Sequence, residues 1–199
     1  MRPTAAALAL VAAALALGAC GDDESSPDSG DGAREERSDR PVKPPRGWRV
    51  LRNERAGFTL SVPRTWAART RGPATLIRSD DQLVSITVAA DRTTTERRRS
   101  PASFARETIE SLPGFRGRLR GGTRRVRGSP YRTARVDARG RVRDSRVPQR
   151  ITAAVYQRPG LVTYAVLVFR NAEVRPRFND PVVERLLRSL RAQAADFTP

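Results

Sequence analysis

The sequence predicts an α+β layered domain with a mostly antiparallel sheet, preceded by a signal peptide and a disordered linker. Three observations lead there. Within residues 48–199, short segments alternate apolar and polar side chains, the pattern of strands with one buried face. Two Pro-initiated helix starts stand among them. A Pro-Gly turn joins two apolar runs of strand length, which marks a hairpin.

Residues 1–19 read as the signal peptide. Arg2 and the chain amine form a thin positive start, and Ala5 to Leu17 is an unbroken apolar run. That run falls short of the about 20 apolar residues a spanning helix needs. Leu17-Gly18-Ala19-Cys20 resembles the bacterial lipobox, which implies that Cys20 is lipidated and becomes the first residue after cleavage. Cys20 is also the sole cysteine, so it has no internal disulfide partner. Two or more acyl chains would anchor the protein stably in a membrane, facing outward from the cytoplasm.

Residues 21–47 have the composition of a linker. Eight acids alternate with Ser, Gly and Pro, and only Ala33 and Val42 are aliphatic. Such a segment buries too little apolar surface to offset its ordering entropy. As a coil it would span roughly 30 Å, at about 5–6 Å times the root of its length. It is net acidic, whereas residues 48–199 carry 32 bases against 13 acids, a formal +19. Nucleic acid is the usual partner of such a domain, but an exported lipoprotein does not meet the genome. An anionic envelope surface fits the location. Base composition is an alternative source of the charge, because all but one of the 38 basic residues are Arg.

Within the domain, Phe58 to Val62 and Leu83 to Ala90 read as half-buried strands, with Val84, Ile86 and Val88 on one side. Asp80-Asp81 before the second is a turn. Ile151 to Tyr156 and Leu161 to Phe169 flank Arg158-Pro159-Gly160, and the second run is apolar on both faces, as in a central strand. Ser100-Pro101 starts a helix with Phe104, Thr108 and Leu112 on one face. Asp180-Pro181 starts another, with Val183, Leu186, Leu187 and Leu190 as its stripe.

Gly57-Phe58-Thr59-Leu60-Ser61-Val62-Pro63-Arg64-Thr65-Trp66 resembles the opening of PsbP-like domains, and Leu187-Arg188-Ser189-Leu190-Arg191 is similar to their closing helix. Exported actinobacterial lipoproteins of the LpqN type share the pattern. The resemblance covers roughly residues 48–191. It implies a PsbP-like α/β/α sandwich, with the antiparallel sheet between helical layers, and binding or assembly roles rather than a reaction.

The chain has no histidine, which removes the commonest general base and metal ligand at neutral pH. It has no Gly-x-Ser-x-Gly elbow and no phosphate-binding Gly-Lys-Ser/Thr loop. Glu107 and Glu110 share a helix face that reads as solvated, and Gly114-Phe115-Arg116-Gly117 is an isolated match to a Gly-x-x-Gly clamp. No enzyme activity, cofactor or metal is expected.

Two arginine ladders remain. Arg116, Arg118 and Arg120 alternate with Gly117 and Leu119; Arg139, Arg141 and Arg143 alternate with Gly140 and Val142. As strands, each set projects from one face. If the ladders are neighbours, their repulsion calls for acids, counter-ions or an anionic partner. The expected function is therefore a membrane-anchored, non-catalytic lipoprotein whose basic domain binds a protein or an anionic envelope component, phospholipid or wall polymer. Carriage of a small apolar or lipid ligand is the alternative, in a pocket between sheet and helix lined by Phe104, Leu112, Tyr156, Tyr164 and Phe169.

Overall fold

The computed structural model describes residues 43–91, 100–127, 129–143, 145–158, 162–174 and 176–193. The expected signal peptide, Cys20, residues 21–42 of the linker and the Pro159-Gly160 turn lie outside the described residues.

Seven strands form one antiparallel sheet in the order β3-β4-β5-β9-β8-β7-β6: β3 (Ala67–Arg71), β4 (Ala74–Arg78), β5 (Val84–Asp91), β6 (Arg116–Arg124), β7 (Arg132–Arg141), β8 (Gln149–Arg158) and β9 (Val162–Asn171). The run read as doubly apolar, β9, is the middle strand, and it pairs with β8 as a hairpin. A smaller sheet joins β1 (Trp48–Asn53), β2 (Phe58–Pro63) and β10 (Arg191–Ala192). Helix α1 (Pro101–Glu110) and helix α2 (Pro176–Arg188) complete the domain.

Alternation along the strands splits the core in two. Ile86, Val88, Ala154, Tyr156, Tyr164, Val166 and Val168 pack with β2 and with Val183, Leu186 and Leu187 of α2. On the opposite face Val136, Ala138, Ile151, Ala153 and Val155 pack against Ala105 and Ile109 of α1. The sheet therefore lies between layers, but one layer combines a helix with a three-stranded sheet, where the sequence suggested helices alone.

Three expectations shift on contact with the packing. The buried face of α1 is Pro101, Ala105 and Ile109, one residue round from the expected stripe, with Phe104 and Leu112 only flanking it. Ala105 packs in one buried cluster with Ala138 and Ala153. Ser100 does cap the helix, its Oγ accepting from Ser103 N–H at 3.1 Å. By contrast α2 begins a turn before Asp180-Pro181: another proline, Pro176, takes its first position and Pro181 is internal. Asp180 is freed from capping, and its carboxylate is engaged elsewhere. Strands β1, β3, β4 and β10 are additional to those expected: β3 is exposed throughout and is held by backbone pairing to β4, and Arg191, expected to end the closing helix, lies beyond its last residue Arg188 and pairs with Thr59 in β10.

The five residues expected to line one apolar cavity lie on opposite faces. Tyr156 and Tyr164 are in the core under α2, their hydroxyls donating to the carbonyls of Leu187 (2.8 Å) and Gly57 (2.6 Å). Phe104, Leu112 and Phe169 flank the α1 side.

Candidate functional site

The two arginine ladders are neighbours. Edge strand β6 pairs with β7 so that Arg116 faces Arg141, Arg118 faces Arg139, and Arg120 faces Asp137. The intervening glycines make this alternation possible. Gly117 and Gly140 oppose each other on the reverse face, beneath the Phe115 ring. A Cβ on Gly117 would stand 2.5 Å from the Arg139 carbonyl oxygen, 2.7 Å from the Gly140 Cα and 2.8 Å from a Phe115 ring carbon, closer than real contacts allow.

After Arg120 the register shifts. β6 uses four residues to reach Arg124 where β7 uses two from Asp137 to Arg135, and Gly121 absorbs the bend at φ 66°. The insertion is even, so Arg124 returns to the ladder face. Arg143 does not extend the second ladder. β7 ends at Arg141, and Arg143 sits in the following turn, its N–H bonded to the Pro113 carbonyl at 2.8 Å and its backbone against Gly114.

The row continues inward beyond β7. Arg139 faces Arg150 on β8, and Arg150 faces Arg170 on β9. Four arginines, Arg118, Arg139, Arg150 and Arg170, thus stand side by side across about 14 Å, at roughly 4.8 Å per strand. Like charges directly opposite one another repel. Their burial increases inward: Arg118 and Arg139 are exposed, whereas the Arg170 side chain is 6% exposed.

Three acids offset part of this charge. Asp180 of α2 accepts from Arg150 Nη1 at 3.1 and 3.0 Å and from Arg170 Nη1 at 2.6 Å. Asp137 accepts from Arg124 Nη2 (2.6 Å), from Arg135 Nε and Nη2 (3.2 and 3.1 Å), and from the Thr152 hydroxyl (2.6 Å). Thr152 in turn accepts from Arg170 Nη2 at 2.6 Å, which links the two carboxylates. Glu184, one turn beyond Asp180 on α2, receives Arg135 Nη1.

The electrostatics are uneven. Burial alone would raise the Asp137 carboxyl, but the Thr152 hydroxyl, Arg135 and Arg124 outweigh it and hold the group below its ordinary value. Burial would lower Arg135, yet Glu184 and Asp137 more than compensate and raise it. Arg170 is lowered, by burial first and then by Arg150 and Arg135, with Asp180 offsetting only part. A guanidinium stays charged in a protein, so Arg170 is an under-compensated cation. Its Nε and that of Arg150 are buried without an acceptor among the described residues.

Between these side chains lies a cavity of about 240 Å³, lined by Arg120, Arg124, Arg135, Arg139, Arg150 and Arg170 together with Asp137 and Asp180. Neither Arg120 nor Arg139 makes an ion pair or side-chain hydrogen bond among the described residues. Sequence reasoning found the exposed part of this face, Arg116, Arg118, Arg120, Arg139 and Arg141. It missed Arg124, Arg135, Arg150 and Arg170 and the three acids. Strand parity held part of the signal, because Arg150 alternates in phase with Thr152, Ala154 and Tyr156, which share its face.

The remaining candidates sit apart. Glu107 and Glu110 are exposed on α1, Asp80-Asp81 form the β4–β5 turn, and Gly114 to Gly117 lead into β6. Among the described residues no three His, Cys, Asp or Glu side chains group as a metal site would require, and no helix is long and apolar enough to cross a membrane.

No protein-family model matches the chain, and no curated protein does. Solved structures do resemble it. CyanoP, the cyanobacterial PsbP of Synechocystis sp. PCC 6803, aligns with a TM-score of 0.51 at 14% identity, over 73% of this chain and 92% of its own. A point mutant of protein Mog1 aligns at 0.53 with 9% identity, over 73% and 95%. LpqN of Mycobacterium tuberculosis, described as involved in cell envelope biogenesis, aligns at 0.45 with 13% identity, over 73% and 90%. At such identities the likeness is one of fold, and the domain's fold is PsbP-like.

Proposed function

We propose that this chain is a lipid-anchored, non-catalytic lipoprotein of the cell envelope whose arginine face docks on the anionic headgroup surface of a membrane. The observation that supports docking is the register of β6 and β7, which concentrates Arg116, Arg118, Arg139 and Arg141 on one exposed patch with no acid opposite any of them. Arginine forks suit phosphate oxygens. The location rests on Leu17-Gly18-Ala19-Cys20, and a linker of roughly 30 Å would keep the domain within reach of the bilayer that holds Cys20. The charged face also has a structural use: arginines along edge strand β6 discourage pairing with another chain.

Two experiments test this. In cells, Cys20→Ser should abolish labelling by an alkyne palmitate and release the protein from membranes; continued labelling and retention would refute the anchor. In vitro, residues 21–199, which lack both Cys20 and the apolar run Ala5 to Leu17, should sediment with vesicles containing phosphatidylglycerol and not with neutral ones. Retention should fall steeply between about 50 and 200 mM salt, as screening shortens the Debye length below about 10 Å. Changing Arg116, Arg118 and Arg141 together to Gln should reduce retention at least tenfold. Equal retention by neutral vesicles, or an unaffected triple variant, would overturn docking on lipid; selective binding to purified wall polymer or to an envelope protein would reassign the face to that partner.

A further inference from the structure

The buried end of the same face differs in kind from its exposed end. Resting on the docking proposal only for the sign of the charge attracted, we infer that the open cavity between Asp180 of α2 and the side chains of β6 to β9 is a site for the phosphoryl group of a single ligand.

Charge comes first. Six arginines and two aspartates line the cavity, and even with Glu184 counted the cations exceed the anions by three. A carboxylate ligand would bring one negative charge. A phosphomonoester brings about 1.5 to 2, with three strong acceptor oxygens. The ligand that best offsets the surplus is the phosphate.

Donors come second. Arg120 and Arg139 enter the cavity wall with no partner among the described residues, so two complete guanidinium forks are available. The acids do not compete with an incoming anion for them. Every oxygen of Asp137 and Asp180 already accepts from an arginine, as the distances above show. Those bonds instead fix Arg135, Arg150 and Arg170 in place before any ligand arrives, so little conformational freedom is left to lose on binding.

Burial comes third. Arg170 is 5% exposed and Arg150 is partly buried, yet the Nε–H of each lacks an acceptor. Both Nε atoms are closed to solvent, so a ligand reaches these two cations only through their Nη atoms and by charge. Three arginines of that row, Arg139, Arg150 and Arg170, line the cavity, and the inner two share a single carboxylate, an arrangement that a bound dianion would stabilise. Size sets the last limit. At about 240 Å³ the cavity is below the roughly 300–1,000 Å³ that engulf drug-sized ligands. It accommodates a phosphoryl head, with the remainder of the ligand in solvent.

The full chain, purified in neutral detergent, should be titrated calorimetrically with glycerol phosphate and with inorganic phosphate. Saturable binding of one molecule per chain is expected, together with a rise in unfolding temperature that grows with ligand concentration. Arg120→Gln combined with Arg139→Gln should weaken binding at least about tenfold, since each removes charge-assisted bonds. Both residues are exposed, so the variant keeps the core intact. Arg69→Gln combined with Arg71→Gln, on β3 at the far edge of the sheet, removes the same charge and should change affinity less than twofold. Absent or non-saturable binding, or equal losses in the two variants, would overturn the site.

The source of the phosphate follows from a competition arm. Displacement of glycerol phosphate by phosphatidic acid vesicles assigns the site to a lipid headgroup; displacement only by soluble phosphate esters assigns it to a free ligand. The outer triple variant at Arg116, Arg118 and Arg141 should bind glycerol phosphate normally. Failure of vesicle docking with the pocket intact would therefore refute the membrane reading alone.

Discussion

The two faces of β7 and β8 are built from the same twenty residues and solve opposite problems. One face, Val136, Ala138, Ile151, Ala153 and Val155, is closed by α1 and is stabilised by removal of apolar surface from water. The other carries Arg135, Asp137, Arg139, Arg150 and Thr152 and persists through paired charges. The apolar face needs only shape. The charged face needs a balance of sign, and it has more arginine than acid. Substitutions on the first should therefore cost according to volume, and on the second according to the sign of the charge removed.

The largest effect is expected on the apolar face. Ile151 is fully buried, and Ile151→Ala should cost about 2–5 kcal/mol in chemical unfolding, the range for large-to-small changes in a core. Gly117→Ala belongs with it. Its Cβ would meet backbone on the paired strand rather than a yielding side chain, so about 1–3 kcal/mol of strain should appear. A neutral outcome would mean that β6 is not held against β7 as tightly as the register implies.

On the charged face, removing an acid should hurt more than removing an arginine. Asp137→Asn deprives Arg124, Arg135 and Thr152 of their common acceptor. Breaking a fully buried pair costs about 3–5 kcal/mol; with the Asp137 side chain 17% exposed, about 2–3 kcal/mol is expected after discounting for solvent. Its pH dependence has a definite sign. Because the folded carboxyl lies below its ordinary value of 3.8, Asp137 contributes its full stability above that value and loses it as pH falls through the folded one. Unfolding measured from pH 6 down to pH 2 should show a steep acid limb in the wild type and a shallower one in Asp137→Asn. Parallel curves would separate Asp137 from acid stability.

This asymmetry explains how far the site could be read from sequence. The ladder at Arg116, Arg118 and Arg120 was legible because alternation with Gly117 and Leu119 is local, and the ladder at Arg139 and Arg141 was legible for the same reason. Their adjacency required the β6–β7 register, which no single segment specifies. Arg170 lay one residue past the apolar run that marked β9, and Asp180 was read as a helix cap. An Asp-Pro pair is a sound start signal, but Pro176 supplied an earlier one, and Asp180 then faced two arginines from strands 10 and 30 residues upstream. The fold was more legible than the site, since strands and helices declare themselves by periodicity within about ten residues, whereas an ion network joins β6, β7, β8, β9 and α2.

The smallest effect tests the balance of sign most directly. Arg170 is buried, flanked by Arg150, and holds an unsatisfied Nε. In Arg170→Met, Asp180 keeps both of its bonds from Arg150 and Thr152 keeps its donation to Asp137. A flexible apolar side chain of similar length fills the space, and the desolvation cost of one cation disappears. The change should therefore fall within about 1 kcal/mol of the wild type, of either sign. Asp180→Asn, which leaves two arginines facing each other without a carboxylate, should cost about 1–2 kcal/mol more than that, discounted because the Asp180 side chain is 33% exposed. Added salt should narrow the gap only slightly, because screening is weak for buried charges. If Arg170→Met proved as damaging as Asp180→Asn, the network would be balanced rather than cationic, and the surplus charge that recommends the cavity to a phosphate would be absent.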